Sequence, residues 1–469
     1  MRKVMRLGEL LKTEDASKLD IVLMVLRMSI PAILSQITFI AMMYIDATMV
    51  GSLGASASAS VGLVSSATWL LFGITMATTT GFAIIASQKL GAEKYADARS
   101  IMRQDIMLNC FVGLLVMGIG LSISDKVPLW MRGNSEIIEN SASYFRILMF
   151  SIPLFLMRMV GTSLVQATGN MKVPSLTSAA TCLLDIFWNF WFIFPVRTIE
   201  LFNFSITIPG AGLGVSGAAL GTTVAEAITS AAIIWYLLRK SELKLKENER
   251  WSFKKQDLAA ALKLGFPIGL ENAVMTAAMV ATTRIIAPLG TVAIAANAFA
   301  IQAESLCYMP GYGIGSAITP IIGQCMGAKR EDLIKRCSKY GILLGAVIMG
   351  ICGIIMFFIC PLIFMMFTPD HEVRELGVKI LRIEMLAEPM FGVSIVATAA
   401  LRGMGDTLIP SILNAFSIWG IRISLCLLLV SNFGLTGAWI AMCIELCCRG
   451  LIMLLRFSQA PWKKLKTIH

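Results

Sequence analysis

The chain has 469 residues, 57% of them apolar and only 15% charged, with a mean hydropathy of +0.76. Soluble domains run at about 45–50% apolar and about 25% charged, so this composition excludes an ordinary water-soluble protein and points to lipid as the solvent. The net charge of +11 is dispersed between apolar runs with no basic domain, which argues against a nucleic-acid groove, and His371 and His469 are too few for a His-built metal site.

Residues 1–20 are charged and helix-prone, and the apolar stretch after them ends near SLGASASAS. That order resembles a signal peptide, but the stretch is too long and carries Asp46, so it is expected to stay in the protein. Apolar runs long enough to cross the hydrocarbon lie near 27–50, 61–86, 105–124, 144–166, 174–195 and 211–238. Six more follow near 262–288, 292–325, 340–364, 380–401, 409–430 and 435–456. They are continuous rather than alternating, which predicts helices and not a barrel. The second and eighth are long and glycine-rich and are expected to tilt or break. The 11 cysteines fall mostly inside apolar runs and read as small apolar residues; the group Cys443, Cys447, Cys448 lacks the second ligand pair of a metal motif. With the N-terminus inside, 29 Lys and Arg fall in cytoplasmic connections, 5 in outer ones and 6 within spans, which places both termini in the cytoplasm.

A shift of 236 residues brings landmarks into register: Pro31 on Pro267, Leu53-Gly54 on Leu289-Gly290, Gln88 on Gln324, Gly169 on Gly405 and Pro174 on Pro410. The register then slips by 16, since Gly217 matches Gly437, and the first half has a longer outer loop around 196–210. Each repeat holds six spans, so both halves have the same orientation. The expectation is an all-α membrane protein of twelve helices in two six-helix lobes, related by a pseudo-two-fold axis along the membrane normal. Residues 1–238 form the N-lobe, 239–261 a basic cytoplasmic linker and 262–469 the C-lobe. Two such bundles facing one another suit alternating access.

Ionisable residues in spans cost on the order of 2.5–3.5 kcal/mol each even on the lenient scale, so those present should pair, line water or bind an ion. Asp46 lies in the first run and Asp185 mid-way along the fifth, with Asn189 one turn later on the same face. Thr222 adds a hydroxyl on the sixth. Such oxygens suit Na⁺, and the same carboxylates could carry a proton; interhelical hydrogen bonding is the plainer alternative. The second half carries Thr282 and Ile421 at the matching positions, but offers Glu271, Glu304 and Glu388 with Arg284 and Arg422. Glu304 could attract a cationic substrate or pair with Arg284 or another buried arginine. Glu384 and Glu388 beside Arg382, and Glu445 beside Arg449, read as local pairs; Arg158 has no evident partner. No catalytic motif stands out: GAGLGVSG at 210–217 opens a span with no strand before it, so an enzyme is not expected.

MYIDATMVGSLG, IIASQKLGAEKYADARS, QATGNMKVPS, GVSGAALGTTVAE, LGFPIGLEN, ESLCYMPGYGIGSAITPIIGQCMGAKR and EPMFGVSIVATAALRGMGDTLIP follow one another along nearly the whole chain. Together they resemble the bacterial type of multidrug and toxic compound extrusion (MATE) transporter. The resemblance implies a V-shaped pair of lobes that expels cationic or amphiphilic organic compounds against Na⁺ or H⁺, with no cofactor beyond that ion. The alternative within the same superfamily is a flippase for lipid-linked precursors. It assigns cation coupling to Asp46, with Asp185, Asn189 and Thr222 completing the site; here Asp185 and Asn189 stand in the reverse of the usual order. Pro31 matches a proline tied to bending of the first helix, and Glu271 and Glu388 fall about a turn from a C-lobe carboxylate pair. The expected setting is the cell membrane, with small organic substrates, the lipid bilayer as surroundings, no nucleic acid, and one chain working as a monomer.

Overall fold

A computed structural model describes residues 5, 7–13, 16–131, 133–201, 204–246 and 249–459. After a short helix α1 (Leu7–Lys12) come α2 (Lys18–Gly51), α3 (Ala55–Gly91), α4 (Tyr95–Ile123), a single turn α5 (Val127–Trp130), α6 (Ser135–Ala167) and α7 (Lys172–Ile193). An antiparallel hairpin of β1 (Pro195–Leu201) and β2 (Phe204–Ala211) leads into α8 (Gly214–Arg239). The second half runs α9 (Lys255–Ile286), α10 (Thr291–Gly327), α11 (Glu331–Phe367), α12 (His371–Glu384), α13 (Glu388–Gly403), α14 (Leu408–Phe416), a π-helical stretch (Ser417–Ile423), α15 (Ser424–Phe433) and α16 (Leu435–Ser458). With α12–α13 as one crossing and α14–α15 as another, these make twelve membrane-spanning segments, six per repeat. Helices dominate because a chain in hydrocarbon must satisfy its backbone hydrogen bonds within each segment.

The duplication is written into the backbone. Gly54 and Gly290 both have positive φ, as do Gly169 and Gly405, each pair 236 residues apart. Glu93 (φ 59°) and Lys329 (φ 56°) are the two positive-φ residues other than glycine among those described, and they too are 236 apart. Gly214 (φ 56°) and Gly434 (φ 55°) keep the correspondence at the slipped register. The slip itself is the hairpin: α7 reaches α8 through β1 and β2, whereas α15 turns into α16 on Gly434 alone. Strands were not foreseen in that loop.

Two features depart from the expected spans. The second and eighth segments, α3 and α10, run unbroken, even though α10 contains Pro310 and Pro320. The interruption falls instead in the tenth, at 385–387, where Pro389 opens α13 and cannot donate to a continuous helix. The preceding α12 starts on Asp370, whose side chain accepts hydrogen bonds from the backbone N–H of Glu372 and Val373. It buries Val373, Gly377, Ile380, Leu381 and Glu384, the stripe of an amphipathic helix.

The described chain gathers into two compact units. One comprises residues up to 37, 84–95 and from 260 onward; the other comprises 38–83 and 96–259. Within the first, the matched ends of α3 and α10 meet through reciprocal glycines. A Cβ on Gly91 would strike the backbone of Gln324, and one on Gly327 would strike the backbone of Gln88. Only glycine permits that approach. In the same unit Arg330 donates to the carbonyls of Leu11 and Thr13, and Arg336 to that of Ala16, so the chain leading into α2 is tied to the start of α11. The second unit repeats the device: Arg99 and Arg103 on α4 grip Glu249, in the chain leading into α9. The first turns of each repeat's third helix therefore hold the lead-in to the first helix of the other repeat.

Candidate functional site

In the second unit, α2 supplies Asp46, α7 supplies Asp185 and Asn189, and α8 supplies Thr222. The four positions inferred from the sequence come together. Asp185 and Asn189 are wholly buried at 0% exposure. The Asn189 amide nitrogen donates to Asp46 Oδ1 at 2.9 Å and to Asp185 Oδ2 at 2.9 Å, so one amide bridges both carboxylates. Asp185 Oδ1 and Asn189 Oδ1 are buried with no hydrogen-bond partner. Thr222 stands beside Asp185 and donates its hydroxyl to the Ala218 carbonyl at 3.2 Å, which leaves its oxygen lone pairs available. Gly221 makes the arrangement possible, because a Cβ there would collide with Asn189 Oδ1.

Around this group the chemistry is one-sided. One turn away on each helix, Val50, Ile193 and Ala218 pack with Ala57, Val215, Met49 and Tyr144 into an apolar layer. No described arginine or lysine pairs with Asp46 or Asp185. Arg158 on α6 is fully engaged elsewhere: its Nε donates to Glu226 Oε2 at 2.6 Å and its Nη2 to Oε1 at 2.9 Å, a bidentate buried pair. Sequence reading left Arg158 without a partner. A charge inventory of the N-terminal spans could have narrowed the partner to Glu226 or Asp105, the acids there that the cation site does not use. Asp46, Asp185 and Glu226 against Arg158 leave this cluster two acids in excess.

Pro31 lies inside α2, which continues through it without a break. Its neighbour Ile33 packs against Gly313 of α10 so closely that a Cβ at 313 would meet the Ile33 backbone.

In the first unit, Glu271 on α9 is enclosed by donors: Arg402 at 2.7 Å, the Ser411 hydroxyl at 2.6 Å and the Asn414 amide at 2.7 Å. Glu445 accepts from Ser417, Arg422 and Arg449, and its pairing with Arg449 is the local one expected. Glu384 and Glu388 do not form the local pairs expected with Arg382. That arginine donates to the Phe357 carbonyl and stacks on the Phe357 ring instead. Both glutamates are 0% exposed, and all four of their carboxylate oxygens lack hydrogen-bond partners. They flank the break between α12 and α13, and Gly353 of α11 leaves room for Glu388. Glu304 on α10 is buried and within electrostatic reach of Glu384 and Glu388. Arg284 is exposed, and the arginines whose charge reaches Glu304 are Arg422 and Arg449, both already bound to Glu445. Glu304, Glu384, Glu388 and Glu445 against Arg422 and Arg449 again leave two acids in excess. Glu384, read from the sequence as one of a local pair beside Arg382, belongs to this cluster instead.

Comparison with known proteins places this architecture. A protein called probable multidrug resistance protein NorM from Thermotoga maritima is 25% identical over 424 residues, covering 89% of this chain and 88% of that one. The Bacillus subtilis protein called probable multidrug resistance protein YoeA is 24% identical over 417 residues, covering 88% of each. The crystal structure of the Vibrio cholerae MATE transporter VcmN in its bent form superposes with a TM-score of 0.86 at 17% identity, over 96% of this chain and 99% of that one. The MatE family model matches twice, at residues 31–191 and 267–428, one match in each repeat. With both repeats matched and well over half the chain covered, the protein belongs to the MatE family of membrane transporters.

Proposed function

We propose that the protein is a secondary antiporter that exports cationic or amphiphilic organic compounds in exchange for Na⁺ or H⁺. The observation that carries this reading is the Asp46–Asn189–Asp185 bridge, two buried acids on one amide with no basic partner and with Asp185 Oδ1 and Asn189 Oδ1 left unsatisfied. Burying such groups unpaired is costly, and a transient cation is what would compensate them. Na⁺ would take the free oxygens with Thr222, since hard cations favour carboxylate, amide and hydroxyl oxygen. A proton would instead sit on the paired carboxylates. The unpartnered Glu384 and Glu388, with Glu304, supply negative charge for a cationic substrate in the other half. The relatives named above are called multidrug resistance proteins, which agrees with organic cargo. Residues 1–238 and 262–469 are the moving lobes in this reading, the linker 239–261 and both termini face the cytoplasm, and one chain carries every group required.

The test is efflux of a fluorescent organic cation from proteoliposomes under an imposed Na⁺ gradient or, separately, a pH gradient. One gradient should drive efflux, and Asp46→Asn should abolish it while the protein stays folded. Efflux indifferent to both gradients, or untouched by Asp46→Asn, overturns the coupling assignment.

A further inference from the structure

The linker ahead of α9 combines a buried grip with an uncovered face. Two of its acids are taken up by the protein: Glu249 is held by Arg99 and Arg103, and Asp257 accepts from Gln104 at 3.0 Å. The Lys254 backbone N–H donates to Gln104 Oε1 at 2.9 Å, which fixes the stretch at a second point. Arg99, Arg103 and Gln104 are themselves buried, so the grip is part of the folded body. Over 244–246 and 250–255 the outward charge is basic. Lys244, Lys246, Arg250, Lys254 and Lys255 are exposed, and among the described residues from 244 to 256 no exposed acid offsets them. Between them Trp251 is 47% exposed, Phe253 50% and Leu245 36%.

The corresponding lead-in to α2 behaves in the opposite way. Its apolar residues Leu7, Leu10 and Ala16 are buried against protein. Two stretches at equivalent places in the duplication thus differ, one covered by the chain and the other presenting aromatic rings among cations. An aromatic and basic surface beside the end of a membrane-spanning helix matches the chemistry of an anionic bilayer face. Rings sit at the headgroup level, and Lys and Arg meet phosphate.

We infer that the basic and aromatic residues of 244–246 and 250–255 form a docking surface for anionic phospholipid headgroups of the cytoplasmic leaflet, held in its presenting conformation by the Arg99–Glu249–Arg103 grip. The occupant is the bilayer itself, for which charge complementarity argues. A soluble anion would use the lysines but leave Trp251 and Phe253 without a role.

The full chain is reconstituted in nanodiscs of phosphatidylcholine alone or with phosphatidylglycerol added, and amide hydrogen exchange is followed by mass spectrometry. Exchange across 244–256 should slow about thirtyfold or more when the anionic lipid is present, from two or three basic residues reaching the surface at about 1 kcal/mol each. The slowing should vanish in Lys244→Gln/Lys246→Gln/Lys255→Gln, fall part-way in Arg250→Gln and in Trp251→Ala, and leave residues 99–104 unchanged. Soluble glycerophosphate should have no effect. Equal exchange in the two nanodiscs, slowing that survives the charge substitutions, or slowing produced by glycerophosphate alone would each overturn the inference. Arg250→Gln changes a single charge, so a triple variant that fails to fold leaves the question decidable.

Discussion

Asp185→Asn separates a cation site from simple interhelical bonding, because the two accounts predict opposite signs for stability. The substitution keeps the shape of the side chain and an oxygen that can accept from the Asn189 amide, which now donates to Asp185 Oδ2 at 2.9 Å. What it removes is charge. Asp46 and Asp185 each lie 2.9 Å from the same nitrogen, so the two bound oxygens are less than about 6 Å apart. At about 5 Å and an effective dielectric of about 20, two ionised carboxylates repel by about 3 kcal/mol. Removing one should therefore raise thermal stability in cation-free buffer alkaline enough to keep both carboxylates ionised. The same change costs the bound ion: a unit charge at about 4 Å is worth about 4 kcal/mol under the same screening, or about a thousandfold in affinity. The assay pairs thermal unfolding of the purified protein, without and with the coupling cation, against radiolabelled Na⁺ or proton binding. A stabilised variant with cation affinity weakened a hundredfold or more is the expected outcome. A destabilised variant that binds and couples the cation as wild type does would show that Asp185 is there to join helices, and would refute the reasoning.

Arg158→Gln should strand Glu226 as an unpaired buried acid and cost about 3–5 kcal/mol, whereas Arg158→Met with Glu226→Leu should recover most of that loss; thermal unfolding of the three proteins decides it. Gly221→Ala places a methyl group against Asn189 Oδ1, so it should cost about 1–3 kcal/mol and sharply weaken cation binding without touching a charged residue. At Glu249, burial works to raise the carboxyl, but the hydrogen bonds and charges of Arg99 and Arg103 outweigh it and hold the group below the usual range. Because the folded value is the lower one, the stability it contributes is complete above the unfolded-chain value of about 4.3 and is lost as the pH falls through the folded value. The gap in unfolding temperature between wild type and Glu249→Gln should stay constant from about pH 8 to about pH 5 and close only below about pH 4.

Which parts of this protein could be read from the chain follows from what is local and what is not. Membrane spans follow from run length, and the duplication from paired landmarks. The backbone repeats that pairing at Gly54 and Gly290, Glu93 and Lys329, and Gly169 and Gly405. Asp185 and Asn189 were legible as neighbours because a four-residue step on a helix fixes their common face. The 16-residue slip located the extra loop but not its hairpin, since strand pairing depends on how two extended segments meet.

The sequence alone determined that lipid surrounds the chain, that six spans occur twice, and that acids lie within the spans of both halves. Tertiary structure decided which acids stay unpaired. Arg158 finds Glu226 across 68 residues and Arg402 finds Glu271 across 131, while Glu384 and Glu388 find nothing although Arg382 is close in the chain. The physical reason is that spacing fixes a residue's face on its own helix, but a charge in the bilayer is balanced by whatever neighbouring helices turn toward it, and that rotation comes from packing across the whole bundle.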